Sequence, residues 1–230
     1  MAADTTRTII RDGIAVGVAT GAYGVSFGAI SVAAGLDVWQ SCALSLLVFT
    51  GASQFALVGV IASGGNPAFA ALSGLLLGTR NTLYGLKVAP MVDWHGSRRV
   101  AAAHLVIDES TAMTITRTTR EHARAGFLAT GLSVFVLWNL ATLVGALAGD
   151  SLGDPRTYGL DAAVGAAFLG LLWPRLDTAR NRVAALLGAA VALSLVSVVP
   201  AGVPVLAATV VALGIALVTK DAVEPQEEPA

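Results

Sequence analysis

The chain has 230 residues, of which 55% are apolar and 13% charged, and its mean hydropathy is +0.74. Soluble domains carry about 25% charged residues, so this composition is that of an integral membrane protein. The net charge of -1 leaves no basic face for nucleic acid, and the single cysteine, Cys42, excludes an intramolecular disulfide.

Long uncharged runs supply the membrane segments, because a spanning helix needs about 20 apolar residues. The pattern predicts helices over 14–34, 42–63, 67–88, 100–116, 126–148, 158–174, 183–199 and 204–219. The predicted fold class is therefore all-α, a polytopic integral membrane helical bundle with one transmembrane transport domain over residues 14–219. Residues 1–13 are predicted to be a cytoplasmic N-terminal segment, and residues 220–230 a disordered C-terminal tail.

Two of these segments are interrupted by polar residues. Segment 67–88 contains Thr79, Arg80 and Asn81, and segment 100–116 contains Asp108 and Glu109. We expect both to be discontinuous or re-entrant helices, which a membrane accommodates only where protein or a wet cavity surrounds the backbone.

Basic residues cluster in three loops. These clusters are Arg7 and Arg11; Arg117, Arg120 and Arg124; and Arg175, Arg180 and Arg182. The positive-inside rule places them in the cytoplasm, together with the N-terminus. Lys87, Arg98 and Arg99 fit this rule only if segments 67–88 and 100–116 dip in and return, so six, seven or eight crossings remain open. Most of the four tryptophans fall near predicted helix ends, as interfacial anchors do.

Glycines recur every four residues in the first helix, at Gly13, Gly17 and Gly21, and again at Gly24 and Gly28. Small residues at this spacing let two membrane helices approach closely. An alternative is that the stretch from Tyr23 to Gly28 lines a substrate path.

Polar groups stand inside apolar sequence at Thr50 to Phe55, at Arg80 with Asn81, and at Asp108 with Glu109. An Arg or Asp at a helix centre costs about 2.5 to 3.5 kcal/mol on insertion scales, so each should face the interior and find a partner. Arg80 with Asp108 or Glu109 is the expected pair. It is either a structural salt bridge or part of a site that binds or relays charge.

Two weaker signals accompany these groups. Ser53 and Gln54 either hydrogen-bond a neighbouring helix or contribute to the site. His104 is interpreted as a packing or interfacial histidine.

Enzyme signatures are missing from the sequence. There is no phosphate loop, no His-Glu-x-x-His and no Gly-x-Ser-x-Gly elbow. The chain is therefore predicted not to be an enzyme and to need no cofactor or metal. ATP-driven transport would require a separate subunit.

In this order and spacing the motifs resemble the AzlC-type permease family, the larger subunit of two-component exporters of branched-chain amino acids. The matching pieces, spread from about Arg11 to Val218, are Tyr23-Gly-Val-Ser-Phe-Gly28, Thr50-Gly-Ala-Ser-Gln-Phe55, Leu77-Gly-Thr-Arg80-Asn-Thr-Leu-Tyr84 leading to Ala89-Pro90, Asp108-Glu109, and Gly159-Leu-Asp161 followed by Phe168-Leu-Gly-Leu-Leu172. Family members often have His after this arginine, where the chain has Asn81.

The resemblance implies export of leucine, isoleucine, valine and related hydrophobic amino acids. Export against a gradient needs a coupled ion, for which a proton is expected, and the predicted location is the plasma membrane. The resemblance also implies a small AzlD-type membrane subunit as partner. The chemistry of the residues agrees, since Arg80 suits a carboxylate, Asp108 or Glu109 an ammonium or a proton, and apolar walls such as Phe27, Phe55 and Leu83 a side chain.

The expected substrate-binding residues are Tyr23, Ser26, Phe27, Thr50, Ser53, Gln54, Phe55, Arg80 and Asn81, and the expected proton-coupling residues are Asp108 and Glu109. The alternatives are a passive channel for small neutral solutes and a membrane assembly subunit that transports nothing.

Overall fold

The structure is a computed structural model that describes residues 5–151, 169–170 and 172–218. The described helices are α1 (Thr6–Ala22), α2 (Gly24–Ala33), α3 (Val38–Leu47), α4 (Gly51–Ala62), α5 (Pro67–Val92), α6 (Gly96–Ala103), α7 (Asp108–Ile115), α8 (Arg120–Ser151), α9 (Ala179–Leu195) and α10 (Val203–Val218), with a 3-10 turn at Trp173–Arg175. These residues contain no β-strand, so the all-α prediction is confirmed for them.

Helices α1 and α2 lie side by side with α8 and run in the same direction. A Cβ built at Gly13 would be 2.8 Å from Thr130 Oγ1, and one at Gly24 would be 2.6 Å from the carbonyl oxygen of Trp138. The glycines at positions 17, 21 and 28 also face α8. The close packing that the glycine spacing predicted is therefore confirmed, because no side chain larger than hydrogen fits between these backbones.

One end of the bundle is rich in arginine. The N-terminus of α1 and the start of α8 lie there, since Ile9 contacts Gly126. The end of α5 lies there as well, because Arg124 Nε donates to the Val92 carbonyl at 2.7 Å and Arg120 pairs with Asp93 at 2.9 Å. We call this the basic end and the opposite one the far end.

Helix α5 is continuous over 26 residues from the far end to the basic end, so the prediction that segment 67–88 is broken is wrong. A partner from another helix compensates the charge of Arg80, and the backbone therefore has no need to unwind there.

Residues 96–115 form a hairpin of two short helices that enters from the basic end and returns to it. Helix α6 begins beside the loop that binds Arg124. Helix α7 runs back along α8, with Leu105 next to Gly131 and Met113 next to Gly126. Each helix has eight residues and is about 12 Å long, less than half of a bilayer core of about 30 Å. The re-entrant prediction for segment 100–116 is confirmed, and we call this unit the basic-end hairpin.

Residues 38–62 form a second hairpin that enters from the far end, although the sequence predicted one continuous helix over 42–63. Helix α3 starts near the end of α2, where Ser31 donates to Ser41 at 2.7 Å, and it descends to the level of Trp138. Helix α4 then returns antiparallel to α5, with Ser53 close to Gly74 and Gly78. Residues 48–50 are the break, and we call this unit the far-end hairpin.

The two hairpins approach each other tip to tip. His104 Nε2 lies 2.9 Å from the carbonyl oxygen of Leu46, and the His104 and Phe49 rings are 5.9 Å apart. Each hairpin follows a long membrane-length segment, α1 with α2 in one case and α5 in the other, and the two units run in opposite directions. The described bundle therefore contains an inverted repeat of helix plus re-entrant hairpin.

Apolar surface dominates the outside of the bundle. Two helical segments, Thr6–Ala33 and Arg120–Ser151, are long and apolar enough to cross a membrane. Helices α9 and α10 pair with each other and expose leucines and valines such as Leu186, Leu193, Val210 and Leu217. A lipid environment accounts for this exposure.

Several predicted positions differ from the structure. Helix α1 begins at Thr6, capped by Thr5, rather than at residue 14. Trp138 is not an interfacial anchor but lies buried midway along α8. Leu83, expected in a substrate wall, is 67% exposed on the outer face of α5. Most of the predicted helix 158–174, including Gly159, Asp161 and Phe168, and the tail at 220–230 lie outside the described residues.

Candidate functional site

A cavity of about 610 Å³ lies where the two hairpin tips meet α1, α5 and α8. This volume falls within the roughly 300–1,000 Å³ typical of small-molecule sites. Its lining consists of Ala19, Thr20, Tyr23, Phe49, Thr50, Gly51, Ala52, Phe55, Leu77, Arg80, Ile107, Asp108, Glu109, Val134, Trp138, Gly170, Leu172 and Arg175. The wall is mostly apolar, with its charged groups on α5, α7 and the 3-10 turn.

Two helix N-termini reach this cavity. Helix α4 begins at Gly51 and α7 at Asp108, and the residues on both sides of each start contribute to the lining. The Thr50 side chain makes no capping hydrogen bond to α4. The first N–H groups of a helix have no partner within the helix and carry a partial positive charge, so the start of α4 favours an anion.

Three charged side chains meet in the cavity wall. Arg80 Nη2 lies 3.2 Å and Arg175 Nη2 3.0 Å from the same atom, Asp108 Oδ2. The Arg80 and Asp108 side chains are 28% and 32% exposed, and that of Arg175 is 58% exposed. Asp108 Oδ1 and Arg80 Nε are buried with no hydrogen-bond partner within the described part of the chain. This centre therefore has spare donor and acceptor capacity next to the cavity.

The break between α3 and α4 is held by Gln54. Its Nε2 donates to the Val48 carbonyl at 2.7 Å and is 3.4 Å from the Ser45 carbonyl, while its Oε1 accepts from Trp138 Nε1 at 3.1 Å. The side chain is fully buried. Gln54 thus satisfies carbonyls that the end of α3 leaves free, and it fixes the break against α8.

Ser110 holds the break between α6 and α7 in the basic-end hairpin. Its hydroxyl donates to the Leu105 carbonyl at 2.6 Å and accepts from the Ile107 N–H at 3.1 Å. Both breaks are therefore held by buried side-chain hydrogen bonds, which explains how unwound backbone persists at membrane depth.

Aromatic rings form the apolar part of the site. Phe55 makes edge-on contacts with Tyr23, Phe27 and Trp138, with ring centroids 5.5 to 6.4 Å apart. Phe49 packs on Phe135 at 5.0 Å. Such pairs hold their rings in defined positions, so the apolar wall has a fixed shape.

The structure brings together about half of the residues that the sequence pointed to. Tyr23, Thr50, Phe55, Arg80, Asp108 and Glu109 all line the cavity. The expected pairing of Arg80 with an acid of segment 100–116 is observed with Asp108 rather than with Glu109.

The other expected residues do not line the cavity in this conformation. Phe27 and Gln54 lie buried behind its wall, and Ser26 is exposed elsewhere on α2. Ser53 is buried between α4 and α5, with its Oγ 3.3 Å from the position that a Cβ would take at Gly78. Asn81 is partly buried, and its Oδ1 has no hydrogen-bond partner among the residues that the structure describes.

Sequence reasoning missed Arg175, Trp138 and Phe49 as site residues. Arg175 was counted with the cytoplasmic loop arginines, and Trp138 was treated as an anchor. Trp138 lies in the middle of the uncharged run 125–149, a position that argues against an interfacial role. Nothing in the local sequence of Arg175 indicates its contact with Asp108, 67 residues away.

Metal binding finds no support in the described part of the chain, where no group of three or more His, Cys, Asp or Glu side chains is placed to hold an ion. A carboxylate held by two guanidiniums, beside a helix N-terminus and an apolar wall, is instead suited to a small ligand with both charged and apolar parts.

Comparison with known protein families supplies a match. A family model described as AzlC protein matches residues 15–152, more than half of the chain. The matched region contains both hairpins and every expected site residue, whereas Arg175 lies beyond it. The comparisons with curated proteins and with solved structures gave no significant match.

Proposed function

Because this chain belongs to the AzlC protein family, a family of membrane transport proteins rather than of enzymes, we propose that it exports branched-chain and related hydrophobic amino acids. The observation that carries the proposal is the Arg80–Asp108–Arg175 centre, set in a small-molecule cavity between two helix N-termini.

Recognition of an amino acid requires groups for a carboxylate, an ammonium and an apolar side chain. The start of α4 and the arginines suit the carboxylate, and Asp108 with Glu109 suits the ammonium. Phe49, Phe55 and Trp138 provide apolar surface for an aliphatic side chain. A purely apolar solute would make no use of the charged groups in the wall.

Transport requires access from each side in turn, and the inverted repeat supports such a mechanism. Secondary transporters built from inverted repeats bind substrate near the midplane at broken helices and rock one repeat against the other. In this chain the hairpin tips meet at the cavity and are joined by the contact between His104 and Leu46.

Export against a gradient needs a coupled ion, and the chain carries no nucleotide motif. We propose that the ion is a proton carried by Asp108 or Glu109, because one elementary charge moved through 100 mV supplies about 2.3 kcal/mol.

The proposed location is the plasma membrane, with the basic end in the cytoplasm. Arg7, Arg120 and Arg124 lie together at that end, as do Arg98 and Arg99 in the first turn of α6. This grouping agrees with the positive-inside rule without an exception for Arg98 and Arg99.

The proposed partner is a small membrane subunit of the AzlD type. Support comes from the resemblance of the motifs and from the apolar faces of α9 and α10, which the described residues leave uncovered.

The decisive experiment is efflux of labelled leucine from loaded vesicles, with and without the co-reconstituted small subunit. Export that follows a proton gradient is expected, and full export without the small subunit would remove the requirement for a partner. Efflux that only dissipates a leucine gradient, indifferent to an uncoupler, would support a passive channel. No leucine efflux under either condition would contradict the proposal.

A further inference from the structure

Asp108 Oδ2 is shared by two guanidiniums that differ in how firmly they are held. Arg80 projects from the middle of the continuous helix α5, and its side chain is 28% exposed. Arg175 projects from a single 3-10 turn, and its side chain is 58% exposed. Both line the cavity. Arg175 is therefore the partner that can leave Asp108 with less disturbance of the packing.

A guanidinium on Asp108 in the empty site resembles part of a bound ligand. The Arg175–Asp108 contact places a cation against a carboxylate at 3.0 Å, and a zwitterionic amino acid carries the same two charges on neighbouring atoms. If such a ligand enters between them, its ammonium takes the place of Arg175 on Asp108, and its carboxylate takes the place of Asp108 on Arg175. The Arg175–Asp108 pair is replaced by two ion pairs to the ligand, and no charge is left unpaired in this partly buried site.

We propose that Arg175 is a substrate-binding residue that exchanges Asp108 for the α-carboxylate of the transported amino acid. This inference rests on the proposed function. It assigns selectivity for the amino acid backbone to an exchange of ion pairs between Arg175 and Asp108. Arg80 remains on Asp108 throughout and holds the carboxylate in position for the ammonium.

The exchange has a consequence for selectivity. A ligand that lacks the carboxylate leaves Arg175 without a partner once it has been displaced, and a ligand that lacks the ammonium leaves Asp108 with no replacement for Arg175. Unpaired charges at a partly buried site are costly, so both kinds of analogue are rejected. If Arg175 only held Asp108 in position and did not bind the substrate, removing this arginine would leave the preference for amino acids over these analogues unchanged.

The test is calorimetric titration of the protein in nanodiscs with three ligands of matched side chain: leucine, isopentylamine, which lacks the carboxylate, and 4-methyl-2-oxopentanoate, which lacks the amino group. The variants are Arg175→Gln and Arg175→Lys, and Arg7→Gln, an exposed arginine at the start of α1, is the matched control. The thermal unfolding midpoint of each preparation establishes that it is folded.

We expect wild type to bind leucine and neither analogue at comparable concentration. Arg175→Gln should weaken leucine binding at least tenfold and reduce the preference for leucine over isopentylamine, which the start of α4 alone then maintains. Arg175→Lys, which keeps the charge, should retain that preference with a smaller loss of affinity, and Arg7→Gln should match wild type.

Wild-type leucine affinity in Arg175→Gln, or an unchanged preference over isopentylamine, would overturn the role of Arg175 and leave amino acid transport intact. Absence of leucine binding by wild type would overturn the proposed function and this inference with it.

Discussion

His104 Nε2 lies 2.9 Å from the carbonyl oxygen of Leu46, and this contact joins two hairpins that enter the bundle from opposite ends. The Phe49 and Phe135 rings pack around the imidazole at 5.9 and 5.6 Å. The carbonyl of Leu46 lies close to the break that ends α3. The contact therefore joins the two hairpin tips on an exposed face of the bundle, and Phe49 connects it to the cavity lining.

The first prediction is that this tip contact separates during transport. With Cys42 replaced by alanine, the pair Phe49→Cys and His104→Cys should react with a short bifunctional thiol reagent, because the two native rings face each other. Cross-linking should abolish leucine efflux, and reduction of a cleavable linker should restore it. Each single cysteine variant treated in the same way is the control. Full efflux by the cross-linked protein would rule out separation of the tips.

The second prediction concerns the α2–α8 contact. A Cβ at Gly28 would collide with the carbonyl oxygen of Thr142, which is backbone and cannot rotate away. Gly28→Ala should lower the free energy of unfolding by about 1–3 kcal/mol, the usual range for overpacking. Gly85→Ala is the control, since a Cβ there meets nothing within 4 Å and alanine favours a helix by roughly 0.5–1 kcal/mol. Titration with SDS measures both, and equal effects would contradict the packing account.

These contacts show which parts of the structure could be read from the sequence. The glycine face on α1 and α2 was predictable because period four is a local signal with one geometric meaning. The Arg80 pair was predictable because a buried charge demands a partner. The break at 48–50 was not, because the apolar run continues through it and its support, Gln54, acts through tertiary contacts with Val48 and Trp138. The continuity of α5 was also missed because of a tertiary contact, since Arg80 pairs with Asp108 of α7 and the helix does not need to break there.

The third prediction separates structure from binding at Gln54. Gln54→Leu leaves the Val48 carbonyl and the Trp138 indole N–H without their partner, so it should cost about 1–3 kcal/mol of stability. Trp138→Phe removes only the hydrogen bond between the indole N–H and Gln54, so the stability it loses through hydrogen bonds should be smaller than in Gln54→Leu. The same substitution also changes the ring contacts of Trp138 with Phe27 and Phe55. Thermal unfolding and leucine titration of each variant are the measurements. A loss of leucine affinity at unchanged stability would instead make Gln54 a substrate ligand.

The fourth prediction is an order of severity at the charge centre. Asp108→Asn removes the carboxylate from two arginines, whereas Arg80→Gln leaves Asp108 paired with Arg175. Asp108→Asn should therefore destabilise the protein more than Arg80→Gln does. The difference should be about 1–3 kcal/mol, below the roughly 3–5 kcal/mol of a fully buried pair, because these side chains are about one-third exposed. The double variant should show non-additive coupling in the unfolding free energy. Additive effects would contradict a shared pair.

The last prediction assigns the two neighbouring acids different parts in the proposed proton coupling. Asp108 is occupied by two guanidiniums, whereas Glu109 lines the same cavity and, within the described residues, has no basic group in ion-pair contact. Glu109 is therefore freer to exchange a proton with the cavity, whereas Asp108 binds the arginines and, in the proposed mechanism, the substrate.

Glu109→Gln should abolish leucine efflux against a gradient yet retain leucine counterflow, since exchange needs binding without net proton movement. Asp108→Asn should abolish both. The measurement is labelled leucine in vesicles with an imposed proton gradient, with and without an uncoupler. Asp12→Asn is the control, since Asp12 is a half-exposed acid on α1 that pairs with Arg11 away from the cavity. Uncoupler-sensitive efflux against a gradient in Glu109→Gln would exclude Glu109 as the proton carrier, and loss of counterflow in that variant would place it in substrate binding instead.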